Sequence, residues 1–118
     1  MTNTDVDLFS IWWANVKLEK VRDGEYFISD ESFERPVVII ENRAYLVYKL
    51  TSKNREGYIV KDIDSAGLKE GSRIRTDVIV PIGPSDLIYK MGELSIDDRL
   101  GLLDYVAAHP SRMMGKKQ

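Results

Sequence analysis

Four runs dense in β-branched and aromatic residues constrain this chain more than any other feature. They are FSIWWANVKL at 9–18, RPVVIIE at 35–41, AYLVYKLTS at 44–52 and RIRTDVIVP at 73–81. Such side chains fit a pleated, half-buried surface. In the third run Leu46, Tyr48 and Leu50 alternate against Tyr45, Val47 and Lys49, which is a strand's period of two. Shorter strands are predicted at 57–60 and 88–93. The charged stretch 19–34 reads as a loop, with a tight turn at Asp23-Gly24 and a short strand at Tyr26, Phe27 and Ile28. Glu41, Asn42 and Arg43 make the next turn, Gly67 and Gly71 limit 63–71 to a turn or two of helix, and Pro84-Ser85-Asp86 starts a brief helical turn.

One longer helix is predicted. Ser95 is its N-cap, Asp98 three residues on gives a pattern resembling a capping box, and Pro110 stops it. Ile96, Leu100, Leu103 and Ala107, joined by Val106, form its apolar stripe. The predicted fold class is mainly β with α: a small, strongly twisted barrel or sheet carrying a C-terminal helix. At 118 residues, without internal repeat or linker, the chain makes a single domain, with 1–8 and 110–118 as loose tails.

Composition removes several function classes. There is no cysteine and one histidine, His109, which excludes thiol catalysis and cysteine-ligated metal and argues against a histidine zinc site; no cofactor is expected. The longest apolar run, VVII at 37–40, falls far short of the ~20 residues of a membrane span. The N-terminus lacks a basic-then-apolar signal pattern, which reads as cytoplasmic. Net charge is −2, yet 1–34 holds eight acids against three bases, whereas 35–75 holds nine bases against five acids. That balance disfavours a non-specific nucleic-acid coat and leaves room for a local cationic cleft.

Three groups of residues carry possible chemistry. Arg35 precedes Pro36 at the mouth of a strand, where its planar fork can reach a phosphate. Thr51, Ser52 and Lys53 close the following strand with two hydroxyls and a cation. Alternation puts Arg73, Arg75 and Asp77 on one strand face, either as a surface ion-pair row or as a phosphate clamp with an adjacent proton acceptor. The Trp12 and Trp13 rings point to opposite sides of their strand, so at most one is core, and the other can support an interface or stack on a base.

Taken in order, IWWANV, RPVVII, LTSK, RIRTD and IGPSDLIYKMGELS before a final helix resemble the MazF/PemK family of toxin endoribonucleases from toxin–antitoxin pairs, over about residues 9–107. The resemblance implies an SH3-like small barrel of the kind shared with CcdB toxins. It also implies a homodimer, metal-independent cleavage of single-stranded RNA, mostly mRNA, and a cognate antitoxin as partner. Residue by residue, Arg35 stands at the family's catalytic arginine, Thr51 at its threonine, and Arg75 and Asp77 at its later arginine and acidic residue. Ser52, Lys53, Arg55 and Arg73 stand beside them as RNA-binding groups. Departures from the pattern are Phe9-Ser10 ahead of the first strand and the acidic 19–34 stretch, which lacks the family's loop histidine and reads as a lid or as a solvated loop. A non-nucleolytic toxin of the CcdB type and an RNA- or protein-binding module on the same barrel are the alternatives.

Overall fold

The turn at Asp23-Gly24 organises the largest feature of the molecule. Both residues take positive φ, 52° and 77°, the conformation a two-residue hairpin needs to match the right-handed twist of its strands. The hairpin it closes is long: β1 spans Ser10–Arg22 and β2 spans Glu25–Glu41, paired antiparallel from Ile11↔Val38 to Arg22↔Glu25. The computed structural model describes residues 6–53 and 56–116.

The remaining elements follow the chain: β3 (Leu46–Thr51), β4 (Tyr58–Ile59), a short helix α1 (Ile63–Ala66), β5 (Arg73–Pro81), a 3-10 turn at Pro84–Asp86, β6 (Leu87–Glu93), α2 (Ile96–Ala108) and β7 (Arg112–Met113). The sheet runs β4-β5-β3-β2-β1-β6, antiparallel at every step, and β7 joins β5 in parallel. Among the described residues the protein is thus mainly β, with two α-helices. α1, next to the β4 end of this path, packs on β6 at the other end. The contact is backbone on backbone: a Cβ on Gly67 would lie 2.2 Å from the Met91 carbonyl oxygen, and one on Gly92 would lie 2.4 Å from that of Ser65. Gly67 also holds φ +69°, so no other residue fits this junction without strain.

Each sheet face carries its own core. Ile11, Val38, Tyr48, Leu50, Ile74 and Leu94 pack with Ala66 of α1 and Leu102 of α2. Trp12, Val37, Ile39, Val47 and Val80 pack with Met114 on the opposite side. Trp12 is therefore core and Trp13 is only half-buried, as opposed ring directions require.

Four expectations are corrected. The 19–34 stretch is not a loop: outside the Asp23-Gly24 turn it is strand throughout, extending the predicted 26–28 segment, with charged side chains along an exposed ribbon. Ser95 does cap α2, accepting from Asp98 N, but the Asp98 carboxylate does not take the Ser95 backbone N–H that a capping box requires. It is wholly buried, accepting from Tyr58 Oη (2.7 Å), Lys61 N (3.0 Å), Asp62 N (2.9 Å) and Ser95 Oγ (3.3 Å). That hub turns α2 so that Asp98, Leu102, Tyr105 and Val106 face inward, and the anticipated apolar stripe of Ile96, Leu100 and Leu103 lies more than half exposed. Finally, 111–116 is not a loose tail. Arg112 makes a two-pronged ion pair with Glu19 (2.6 and 2.7 Å), Gly115 N donates to the same carboxylate (2.7 Å), and Met114 is buried.

Candidate functional site

Register decides which side chains meet. Val37 faces Lys49 across β2 and β3, Lys49 faces Arg75 and Thr51 faces Arg73 across β3 and β5. Side chains two apart on a strand share a face. Arg35, Lys49, Thr51, Arg73 and Arg75 therefore all belong to one sheet face, spread over three adjacent strands. The heads of two of them converge on a single ring: the Arg35 guanidinium lies 4.5 Å from the Phe33 centroid and the Lys49 ammonium 5.9 Å from it.

Lys49 links the set. Burial first, then the charges of Arg75 and Arg35, hold its ammonium pKa below the usual lysine value, with Asp77 and Glu19 opposing. Like charges directly opposed in a ladder destabilise it, so this patch is built in a state that an anion relieves. Arg35 donates from its guanidinium Nη1 to the Leu50 carbonyl (3.3 Å), which holds its head near the end of β3. Thr51, almost fully buried, accepts from Lys53 N through Oγ1 (3.1 Å) and keeps its own hydroxyl proton to donate. Arg75 pairs with Asp77 at 3.0 Å in partly exposed surroundings.

Two cavities flank this face. One of about 360 Å³ is bordered by Arg35, Thr51, Ser52 and Lys53, together with Trp13, Glu34 and Lys69. The other, about 370 Å³, is bordered by Arg75, Asp77, Tyr105 and His109. The predicted catalytic residues thus share a sheet face but are divided between two hollows, with Arg35 and Thr51 at one and Arg75 and Asp77 at the other. Ser52 and Lys53 are exposed at the rim of the first, Arg73 is half-buried, and Arg55 lies outside the described residues. Among the described residues, no three His, Asp or Glu gather as metal ligands, and no helix is long and apolar enough to cross a membrane.

Sequence reasoning passed over two contributors. Lys49 was visible as a cation at a strand position flanked by Val47 and Thr51, where a buried side chain is the rule. His109 follows the last turn of α2, and nothing local in the sequence ties it to the other candidates. The fold brings it to the Arg75–Asp77 cavity, its ring stacked on Tyr105 (4.1 Å) and Nδ1 3.0 Å from the Tyr105 carbonyl. Donating from Nδ1 to that carbonyl leaves the Nε2 lone pair as a proton acceptor. No protein-family model matches the sequence, and no curated protein matches it.

Proposed function

We propose that this chain is an endoribonuclease that cleaves single-stranded RNA, on a small barrel of the SH3-like type found in MazF/PemK toxins. The single observation that carries the reading is the placing of Arg35, Lys49 and Arg75 on one sheet face with Thr51, where the Lys49 ammonium feels the charge of both arginines. Three cations within one small area, all donors and none an acceptor, match the charge that builds on phosphoryl oxygens during transesterification. The 2′-hydroxyl attacks the adjacent phosphorus and the 5′-oxygen leaves, giving a 2′,3′-cyclic phosphate and a 5′-hydroxyl. Arg35 and Arg75 bind the equatorial oxygens, and Thr51 donates a further bond that orients the group. In this reading Asp77, paired with Arg75, and the Nε2 of His109 are the acceptors within reach of the 2′-hydroxyl proton, and the Lys49 ammonium is a donor toward the leaving oxygen.

The homodimer and the acidic antitoxin segment belong to the same proposal. The exposed Ile96, Leu100 and Leu103 of α2 give the protein an apolar strip, and the cationic face gives an acidic peptide its counter-charge. The test is incubation of the purified protein with a long unstructured RNA in EDTA, with mapping of product ends. Discrete fragments ending in 2′,3′-cyclic phosphate are expected, and lost in Arg35→Ala. Intact RNA that nevertheless binds, with salt-sensitive affinity, would move the assignment to a binding module.

A further inference from the structure

The cavity beside Arg35 has the composition of a nucleobase recess. Trp13 forms one wall and is held in place from behind, its ring stacked on Tyr89 across the β1–β6 ladder (centroids 6.4 Å apart, planes 18° apart). Its indole Nε1 donates to Glu34 Oε1 at 2.9 Å, so the carboxylate is fixed at the same edge. Leu50, Leu68 and Met91 supply apolar lining, and Lys53 and Lys69 stand exposed at the rim. At about 360 Å³ the cavity falls in the lower part of the roughly 300–1,000 Å³ range of small-ligand sites. An aromatic wall, one oriented carboxylate and rim cations together point to a nucleotide.

The carboxylate further selects the base. It accepts up to about four hydrogen bonds, and the indole takes one. Glu34 therefore presents acceptors only. Guanine offers two adjacent donors, N1–H and N2–H, which a carboxylate takes in parallel. Adenine and cytosine place a ring acceptor beside their amino group, and uracil flanks N3–H with two carbonyls, so each sets a lone pair against the carboxylate. We infer that the Trp13–Glu34 recess binds a guanine of single-stranded RNA, stacked on Trp13 and paired through its Watson–Crick edge to Glu34, with the attached phosphate at the rim lysines Lys53 and Lys69. This rests on the proposed RNA substrate and adds the base that the site reads.

The experiment uses the full chain and fluorescein-labelled 2′-O-methyl RNA hexamers, which cannot form the cyclic phosphate, so binding is read apart from cleavage. Hexa-adenylate is compared with the same hexamer carrying a single G, C or U, by anisotropy at one fixed salt concentration. The G hexamer binds about tenfold tighter than the others, which corresponds to ~1.4 kcal/mol. Glu34→Gln, which still accepts from the Trp13 indole but brings its own N–H donors, cuts that preference to under about twofold without moving the melting temperature. Trp13→Ala weakens every hexamer by roughly tenfold or more, the worth of one stacked base. Equal affinity for all four hexamers, or a G preference that survives Glu34→Gln, overturns the recess. Cleavage of natural RNA with no preference for G in the binding assay would remove this inference and leave the nuclease reading in place. Selective G binding without cleavage would do the reverse.

Discussion

Asp98 offers the sharpest test of how α2 is set against the sheet. Its side chain is fully buried and accepts from a phenol, two backbone amides and a serine hydroxyl. Asp98→Ala leaves the Tyr58 hydroxyl and the Lys61 and Asp62 N–H groups without their acceptor, and each stranded donor costs about 1–3 kcal/mol. Allowing for some entry of water, the loss comes to about 4 kcal/mol, a large share of the ~5–15 kcal/mol that holds a domain together. With an unfolding entropy near 2.1 cal/mol/K per residue, a chain of this length shifts by roughly 4 °C per kcal/mol, so the melting temperature falls by about 16 °C. Asp98→Asn keeps one acceptor oxygen but turns an NH₂ toward donors, and falls by about half as much. Tyr58→Phe leaves Asp98 its other partners and costs ~1 kcal/mol. The measurement is thermal unfolding followed by far-UV circular dichroism. A fall of less than about 4 °C for Asp98→Ala, or the three variants in another order, would refute the hub. Burial alone would raise the Asp98 pKa, but the bonds from Asp62 N, Lys61 N, Tyr58 and Ser95 outweigh it and hold the carboxyl below its ordinary value. Stability from this group is therefore present above the unfolded aspartate pKa and is lost as pH falls through the folded value.

Other outcomes follow from the same structure. Lys49→Met removes a like-charged cross-strand neighbour of Arg75, so it raises the melting temperature by a few degrees while weakening RNA binding and reducing the salt dependence of that binding by about one phosphate contact. Because folding lowers the Lys49 pKa, the wild-type protein carries this penalty at neutral pH and sheds it as pH rises toward the unfolded lysine value; a melting temperature that falls in Lys49→Met would speak against it. Glu19→Gln weakens the anchor of β7. Hydrogen exchange should speed up at 112–115 with little change in β3, and a uniform response across the sheet would contradict the local role of the Glu19–Arg112 pair. Gly92→Ala drives a methyl into the Ser65 and Ala66 backbone, so the expected result is a loss of several degrees in melting temperature together with weaker RNA binding, since α1 adjoins the recess. His109→Gln should slow cleavage of RNA by about 10²-fold or more if Nε2 transfers the proton, with RNA affinity unchanged; equal rates would return that role to Asp77.

Local rules were legible wherever one interaction decides the structure. The Asp23-Gly24 turn, the strand Arg73–Pro81, the helical turn at Pro84–Asp86 and the Ser95 cap each follow from backbone chemistry within a few residues. What failed did so where distant groups arbitrate. Charge between 19 and 34 suggested a loop because a hairpin far from the core has no apolar alternation to betray it; the ladder is set instead by the turn, which pairs Arg22 with Glu25 and Lys20 with Phe27, and an ion pair between Lys20 and Glu31 also spans the two strands. On α2 two faces compete, and the more apolar one lost. Burying Asp98 with four donors, one of them 40 positions away at Tyr58, outweighs the transfer energy of Ile96 and Leu100 to the interior. In the candidate site, Arg35, Thr51 and Arg75 were singled out by residue type and by the family resemblance, while the register that aligns Lys49 with Arg75, and the turn of chain that brings His109 to the second cavity, exist only in three dimensions.

The proposed nuclease requires Arg35 and Arg75, from different strands, to act on the same phosphoryl group. A double-mutant cycle on single-turnover RNA cleavage tests it most directly. Each alanine variant is predicted to lose about 10²–10³ in rate, and the pair to lose clearly less than the product of the two, because one transition state is being weakened twice. Strictly multiplicative losses, or full activity in either single variant, would contradict it.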